Sequence, residues 1–95
     1  MRILDRNRRI AGVEVDILAR DGDVQVVCEV KTLRTAALDA LDAADSVDHR
    51  RLARLSRAAG VLAENGPARV DVIAVALATD GQAACLHYPN ITEDA

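Results

Sequence analysis

Four side chains in the first third of this chain, Glu14, Asp16, Glu29 and Lys31, could do chemistry together. Carboxylates are hard oxygen donors suited to a divalent cation, and an ammonium two residues after one of them can steady negative charge developing nearby. The stretch that must position them reads V-E-V-D-I-L-A-R, then D-G, then D-V-Q-V-V-C-E-V-K. Two β-rich runs flanking Asp21-Gly22 predict a hairpin. With a two-residue Asp-Gly loop, Arg20 faces Asp23, Asp16 faces Val27 and Glu14 faces Glu29. In that register Val13, Val15, Ile17 and Ala19 share an apolar face with Val24, Val26, Cys28 and Val30. Glu14, Asp16, Leu18 and Arg20 lie beside Gln25, Val27, Glu29 and Lys31 on the other face. A slip of one residue would destroy this sorting. Asp16 is then diagonal to Glu29, within reach of a shared ion, and Glu14 opposes Glu29 as a like charge that a cation would relieve. A solvated polar face is the common explanation of such a surface. The clustered acids, the E-x-K spacing and the like-charge pair point instead to a site.

The pattern D-x(12)-E-V-K resembles the metal-binding core of restriction-endonuclease-like nucleases, the PD-(D/E)XK superfamily. Its surroundings make the resemblance specific. R-I-L-D-R-N (2–7), E-V-D-I-L-A-R-D-G (14–22), V-Q-V-V-C-E-V-K-T (24–32), R-V-D-V-I-A-V (69–75) and H-Y-P-N (87–90) resemble the YraN family of endonuclease-like proteins along nearly the whole chain. The resemblance implies that Asp16 and Glu29 are metal ligands, Lys31 the catalytic lysine and Glu14 an accessory acid. Three departures stand out. Val13 replaces the glycine usual before the acid at position 14, and Arg8 replaces the aromatic usual after Asn7. Family members also carry a helix with an acidic residue ahead of R-I-L, whereas this sequence starts at Met1-Arg2: either the start is trimmed, or an element is lost and an extra active-site acid with it.

Ninety-five residues suffice for one domain, 1–95, with a small core that an oligomer would help to stabilise. Half the residues are hydrophobic (51%), but Tyr88 is the sole aromatic, so the core is built from Val, Leu, Ile and Ala. A homodimer is therefore expected. No run reaches a membrane span and no leader pattern is present, which predicts a cytoplasmic protein without membrane contact. Cys28 and Cys85, at apolar positions of predicted strands, are expected to be buried free thiols. The net charge of −3 excludes a global basic footprint, although residues 1–34 carry seven Arg or Lys against six Asp or Glu. Ile3-Leu4 is expected as a short edge strand and 7–12 as a basic loop. There Arg8 and Arg9 serve either as a charged edge or as phosphate contacts.

Residues 32–45 predict a weak helix or a loop. A helix is expected over 46–65, capped by Ser46, with Val47, Leu52, Leu55, Ala59 and Leu62 on its apolar stripe. Arg50, Arg51, Arg54 and Arg57 form a second stripe, and the first three are candidate backbone-phosphate contacts. Strands are expected over 69–78 and 82–88, and 91–95 should fray. Asp71 is expected to be a salt-bridged strand residue rather than a ligand; His87 and Asn90 match the family without an assigned role.

The fold class that follows is α/β: a restriction-endonuclease-like mixed sheet with a central antiparallel hairpin and one long crossover helix. The resemblance implies a metal-dependent endonuclease acting on DNA, structure- rather than sequence-selective, with branched DNA a candidate substrate. Mg²⁺ or Mn²⁺ would be held by Asp16, Glu29 and the Val30 carbonyl. The alternative is a non-catalytic nucleic-acid-binding or dimeric interaction module on the same fold.

Overall fold

A computed structural model of the chain describes residues 1–35 and 48–91. The expected helix or loop after Thr35, the Ser46 cap and the frayed end beyond residue 91 lie outside the described residues. Among the described residues five strands form one sheet in the order β1-β2-β3-β4-β5: Arg2–Ile10, Val13–Asp21, Val24–Thr35, Ala68–Ala78 and Ala83–Tyr88. Among the described residues the α-helix is α1 (His49–Leu62), followed by a 3-10 turn at 63–65. β3 is the middle strand, antiparallel to β2 and parallel to β4, so the sheet is mixed and the chain crosses over through α1 as expected.

The central hairpin forms, but two residues out of the expected register. Asp21 pairs with Val24, Leu18 with Val27 and Ile17 with Cys28, leaving Gly22-Asp23 as the loop. Gly22 has φ +59 and Asp23 is not at positive φ, so glycine takes the first central position. That is the demand of a type II′ turn, whereas a loop with aspartate first would need both central residues left-handed. A shift of two preserves which face each β3 residue occupies, because side chains alternate with period two.

The alternation breaks inside β2. Val13, Val15 and Leu18 pack in one core cluster with Ile10, Val27, Leu55, Ala58, Ala59 and Val70, while Ile17 packs with Ala19, Val26 and Cys28 in another. Val15 and Leu18 are an odd number apart, so the strand reverses its faces at Asp16. Both neighbours reflect this. The ladder to β3 ends at Ile17, and that to β1 passes from Arg6↔Ile17 to Arg8↔Val15 without Asn7 and Asp16, Asn7 having φ +53. An irregularity of this kind re-aims a side chain, which strands use beside functional sites.

β1 is longer than expected. It runs to Ile10, and Arg8 and Arg9 lie on the strand rather than in a loop; the turn is Ala11-Gly12, both at positive φ. Edge position and charge on both faces hide a strand whose pattern does not alternate. β3 likewise continues through Thr35.

α1 buries Leu52, Leu55, Ala58 and Ala59 against the sheet, and its cap is Asp48, whose side chain accepts from the Arg50 N–H at 2.8 Å. Asp48 in extended conformation satisfies one of the orphan donors of the first turn. The C-terminal segment is anchored at Ile91, whose N–H donates to the Val70 carbonyl at 2.8 Å. Cys28 is buried as expected; Cys85 is exposed, because β5 is the other edge strand and its pattern alternates between open and half-covered.

Candidate functional site

Glu29 and Asp16 meet beside the first turn of α1. Glu29 follows Val27 and Cys28 on the middle strand, and alternation puts it with Val27 on the helix-covered face. Asp16 sits at the break in β2, freed from the backbone ladder. Its Oδ2 accepts from the Val30 N–H at 3.0 Å, so a side chain takes the place of the β2 carbonyl in the ladder. A residue's N–H and C=O leave a strand on the same side, so the Val30 carbonyl is also directed toward β2.

The two carboxyls are close enough to hydrogen-bond to each other, which two ionised carboxylates cannot do. Burial alone would raise Asp16. The hydrogen bond from the Glu29 side chain, that from Val30 and the nearby Arg51 charge outweigh burial and hold Asp16 below its ordinary value. Glu29 moves the other way: burial raises it, Arg51 lowers it, and the shared hydrogen bond with Asp16 leaves it raised overall. Between them the pair carries one proton more readily than two separate acids would.

Arg51 already neutralises part of this charge. Its Nε donates to Glu29 Oε2 at 2.5 Å and an NH2 donates to the Glu14 carbonyl oxygen at 2.6 Å, with a longer contact of 3.4 Å to Glu29 Oε1. The pair is largely covered, with side-chain exposures of 26% for Arg51 and 12% for Glu29. The Glu29 hydrogen bond raises the Arg51 pKa further above its ordinary value. Arg51 was expected on a phosphate-facing stripe; instead it turns inward, while Arg50, Arg54 and Arg57 remain exposed on the same helix.

The other expected residues are divided. Lys31 shares the face of Glu29, two residues on, and is half-buried. Glu14 does not join the acids. Val13 and Val15 both point into the helix-side core, so alternation turns the Glu14 side chain to the reverse face, where it is exposed; its backbone carbonyl bonds to Arg51, and its side chain acts on Arg51 only as a nearby charge. Its cross-strand partner is Arg9 and not Glu29, so the expected like-charge pair is replaced by an opposite-charge one. Arg9 therefore lies away from the acids, whereas Arg8, paired with Val15, lies on their face.

The donor set suits a hard cation that keeps most of its waters. Among the described residues no three acidic, histidine or cysteine side chains gather tightly enough to hold an ion. Two convergent carboxylates and a carbonyl nevertheless match the way Mg²⁺ is commonly held, by one or two carboxylates with water and substrate oxygens. The observation that supports the fit is the placement of Asp16, held by the Val30 N–H at the break in β2, directly beside Glu29.

A second polar cluster occupies the reverse face. Asp71, fully buried, accepts from Arg69 Nε at 2.9 Å, the Asn90 N–H at 2.9 Å and a longer Arg69 NH2 contact of 3.3 Å, and lies 2.7 Å from His87 Nε2. Arg69 continues to Asp21 at 3.0 Å, tying β4 to the central hairpin. Burial raises Asp71, but Arg69 and the other donors lower it below its ordinary value. Asp71 is thus the salt-bridged strand residue expected, and His87 and Asn90 are its partners. The available signal was Arg69 two residues before Asp71 on the same strand face.

Residues 1–75 match the profile of the uncharacterised protein family UPF0102. Similar proteins include a UPF0102 protein of Kineococcus radiotolerans, 40% identical over 97% of this chain and 79% of its own length. Another, from Geobacter sulfurreducens, is 41% identical over 97% of this chain and 74% of its own. A third, from Symbiobacterium thermophilum, is 39% identical over 94% and 78%.

Proposed function

The chain belongs to the uncharacterised protein family UPF0102, the YraN family of endonuclease-like proteins, and from that premise we propose that it is a metal-dependent endonuclease hydrolysing phosphodiester bonds in DNA. The observation that carries the reading is the meeting of Asp16 and Glu29 at a break in β2, with Lys31 on the same strand face as Glu29. Asp16, Glu29 and the Val30 carbonyl would hold Mg²⁺ or Mn²⁺. Such an ion, when bound, supplies Lewis acidity and lowers the pKa of a coordinated water. The hydrogen bonds from Glu29 and Val30, with the Arg51 charge, hold Asp16 below its ordinary value, so it offers a charged oxygen ligand. Lys31 brings a positive charge to the face where a phosphate would lie and stabilises the developing negative charge. Arg8, Arg50 and Arg54, all exposed, are suited to contacting flanking phosphates, which position DNA without reading its sequence.

Cleavage of duplex, single-stranded and branched DNA in Mg²⁺ and Mn²⁺ tests this. Wild type should cut at least one substrate, and Asp16→Asn and Lys31→Ala should lose cutting while keeping their fold. Clean protein that cuts none overturns the reading. A non-catalytic DNA-binding module is the second reading, favoured by the lack of a third acid at the pair among the described residues. It predicts DNA binding that depends on Arg50 and Arg54 and is indifferent to Lys31. Among the described residues no helix is long and apolar enough to cross a membrane.

A further inference from the structure

Arg51 stands where the proposed reaction needs something else. Its guanidinium holds Glu29, one of the two carboxylates a divalent ion would use, and its second anchor is the Glu14 carbonyl at the same break in β2. A carboxylate gripped by a guanidinium through charge-assisted hydrogen bonds has less to offer a second cation. The grip is also reversible in principle. Arg51 sits in the first turns of α1, a quarter of its side chain reaches solvent, and Arg50 and Arg54 flank it on the exposed surface. A phosphodiester drawn to those arginines arrives next to Arg51, and phosphate suits the planar guanidinium fork as well as carboxylate does.

We propose that Arg51 is a displaceable counter-ion of the Asp16–Glu29 pair: it occupies Glu29 until a nucleic-acid phosphate takes it over, so that divalent cation and nucleic acid bind cooperatively. This rests on the reading of Asp16 and Glu29 as cation ligands and adds the regulation of that site. Without nucleic acid, Arg51 keeps the acids neutralised and cation affinity low. With phosphate bound, Glu29 is released to the ion, and the ion in turn releases Arg51 to the phosphate. The coupling is reciprocal by linkage: whatever factor nucleic acid adds to cation affinity, the cation adds to nucleic-acid affinity. Arg51 would thus be a positioning residue that shields the acids until the substrate is present.

Mn²⁺ binding, followed by the loss of the free-ion electron paramagnetic resonance signal, tests this without any turnover. A Lys31→Ala background keeps a short DNA duplex intact during titration. In that background Mn²⁺ should bind weakly alone and about tenfold more tightly with the duplex, a difference of about 1.4 kcal/mol. Adding Arg51→Gln should give the tighter affinity without DNA and remove the enhancement by DNA. Arg51→Lys, which keeps the charge but cannot grip Glu29 and the Glu14 carbonyl with one planar fork, should lie between and serves where the glutamine variant does not fold. Mn²⁺ binding that disappears in Asp16→Asn, yet is unchanged by both Arg51 variants and by DNA, overturns the counter-ion proposal and leaves the cation site standing. Absence of Mn²⁺ binding in every protein, with and without DNA, overturns both.

Discussion

The Asp16 carboxylate accepts the backbone N–H of Val30, 3.0 Å away, across the two strands of the central hairpin. A side chain thereby substitutes for a ladder carbonyl where the β2–β3 pairing stops at Ile17 and Cys28. The same bond fixes the carboxylate next to Glu29, so the break in β2 both exposes Asp16 and orients it.

Asp16 and Glu14, two residues apart, should behave differently because that break separates their side chains. Asp16→Asn should abolish thermal stabilisation by Mn²⁺, since the ion stabilises only through its affinity for the native state. Glu14→Gln should leave most of the stabilisation in place, since Glu14 bonds within the site only through its backbone carbonyl and its side chain acts on Arg51 only as a nearby charge. Equal losses in the two variants, read from melting curves, would return Glu14 to the ligand set.

The hairpin, the parallel crossover and the amphipathic helix were legible because each has a local signal: Asp-Gly between apolar runs, two apolar strands flanking a helical period, and Leu52, Leu55 and Ala59 on one stripe. The register was not, because Asp21-Gly22-Asp23 can turn with either aspartate in the loop and β3 presents the same faces both ways. The reversal at Asp16 coincides with a gap in the β1–β2 ladder opposite Asn7, which is at positive φ, and no short-range pattern encodes it. Nothing local sets Arg51 apart from the arginine stripe of its helix, because its partner lies 22 residues earlier on another element. An acid inside an apolar strand, two residues after Arg69, signals the Asp71 ion pair, but His87 comes to it through the β4–β5 pairing and Asn90 through the segment that follows β5.

The two thiols should differ sharply in reactivity. Burial, then the Asp71 charge, pushes the Cys28 thiol up to about 11, so its reactive thiolate is scarce at neutral pH as well as covered. Cys85 is exposed on β5. A thiol-specific chromophore should label one cysteine rapidly in native protein, and Cys85→Ser should remove that fast phase. Fast labelling of both would contradict the burial of Cys28.

The acid pair predicts opposite pH signatures from its two members. Glu29 has a raised folded pKa, so its charge destabilises the fold. That cost is absent below the unfolded value near 4.5 and grows to its full size as pH rises past the folded value. Asp16 has a lowered folded pKa. Its stabilising contribution is full above the unfolded value near 3.8 and is lost as pH falls through the folded one. On acidification from neutrality, wild type should first gain stability through Glu29 and then lose it through Asp16, with Asp71 adding to the loss. Denaturation in metal-free buffer should show the mild-acid gain vanish in Glu29→Gln and part of the later loss vanish in Asp16→Asn. A Glu29→Gln profile parallel to wild type would mean that the two carboxyls do not share a proton.

Asp71 should dominate stability without touching cation binding. Its carboxylate is fully buried and gathers Arg69, His87 and the Asn90 N–H, while Arg69 carries the link on to Asp21 of the hairpin. Removing one partner of a buried ion pair leaves the others desolvated and unpaired, which costs about 3–5 kcal/mol. The lower end applies here, because Arg69 and His87 are partly exposed, at 21% and 42%, and can recover water. Asp71→Ala should therefore lose roughly 3 kcal/mol in urea denaturation, a large share of the ~5–15 kcal/mol typical of a domain. Its affinity for Mn²⁺ under conditions where it remains folded should equal that of wild type, because Asp71 and the Asp16–Glu29 pair face opposite sides of the sheet. A loss of Mn²⁺ affinity in folded Asp71→Ala would place the reverse-face network in the site itself, and a cost below about 1 kcal/mol would deny that it ties β4 to the hairpin.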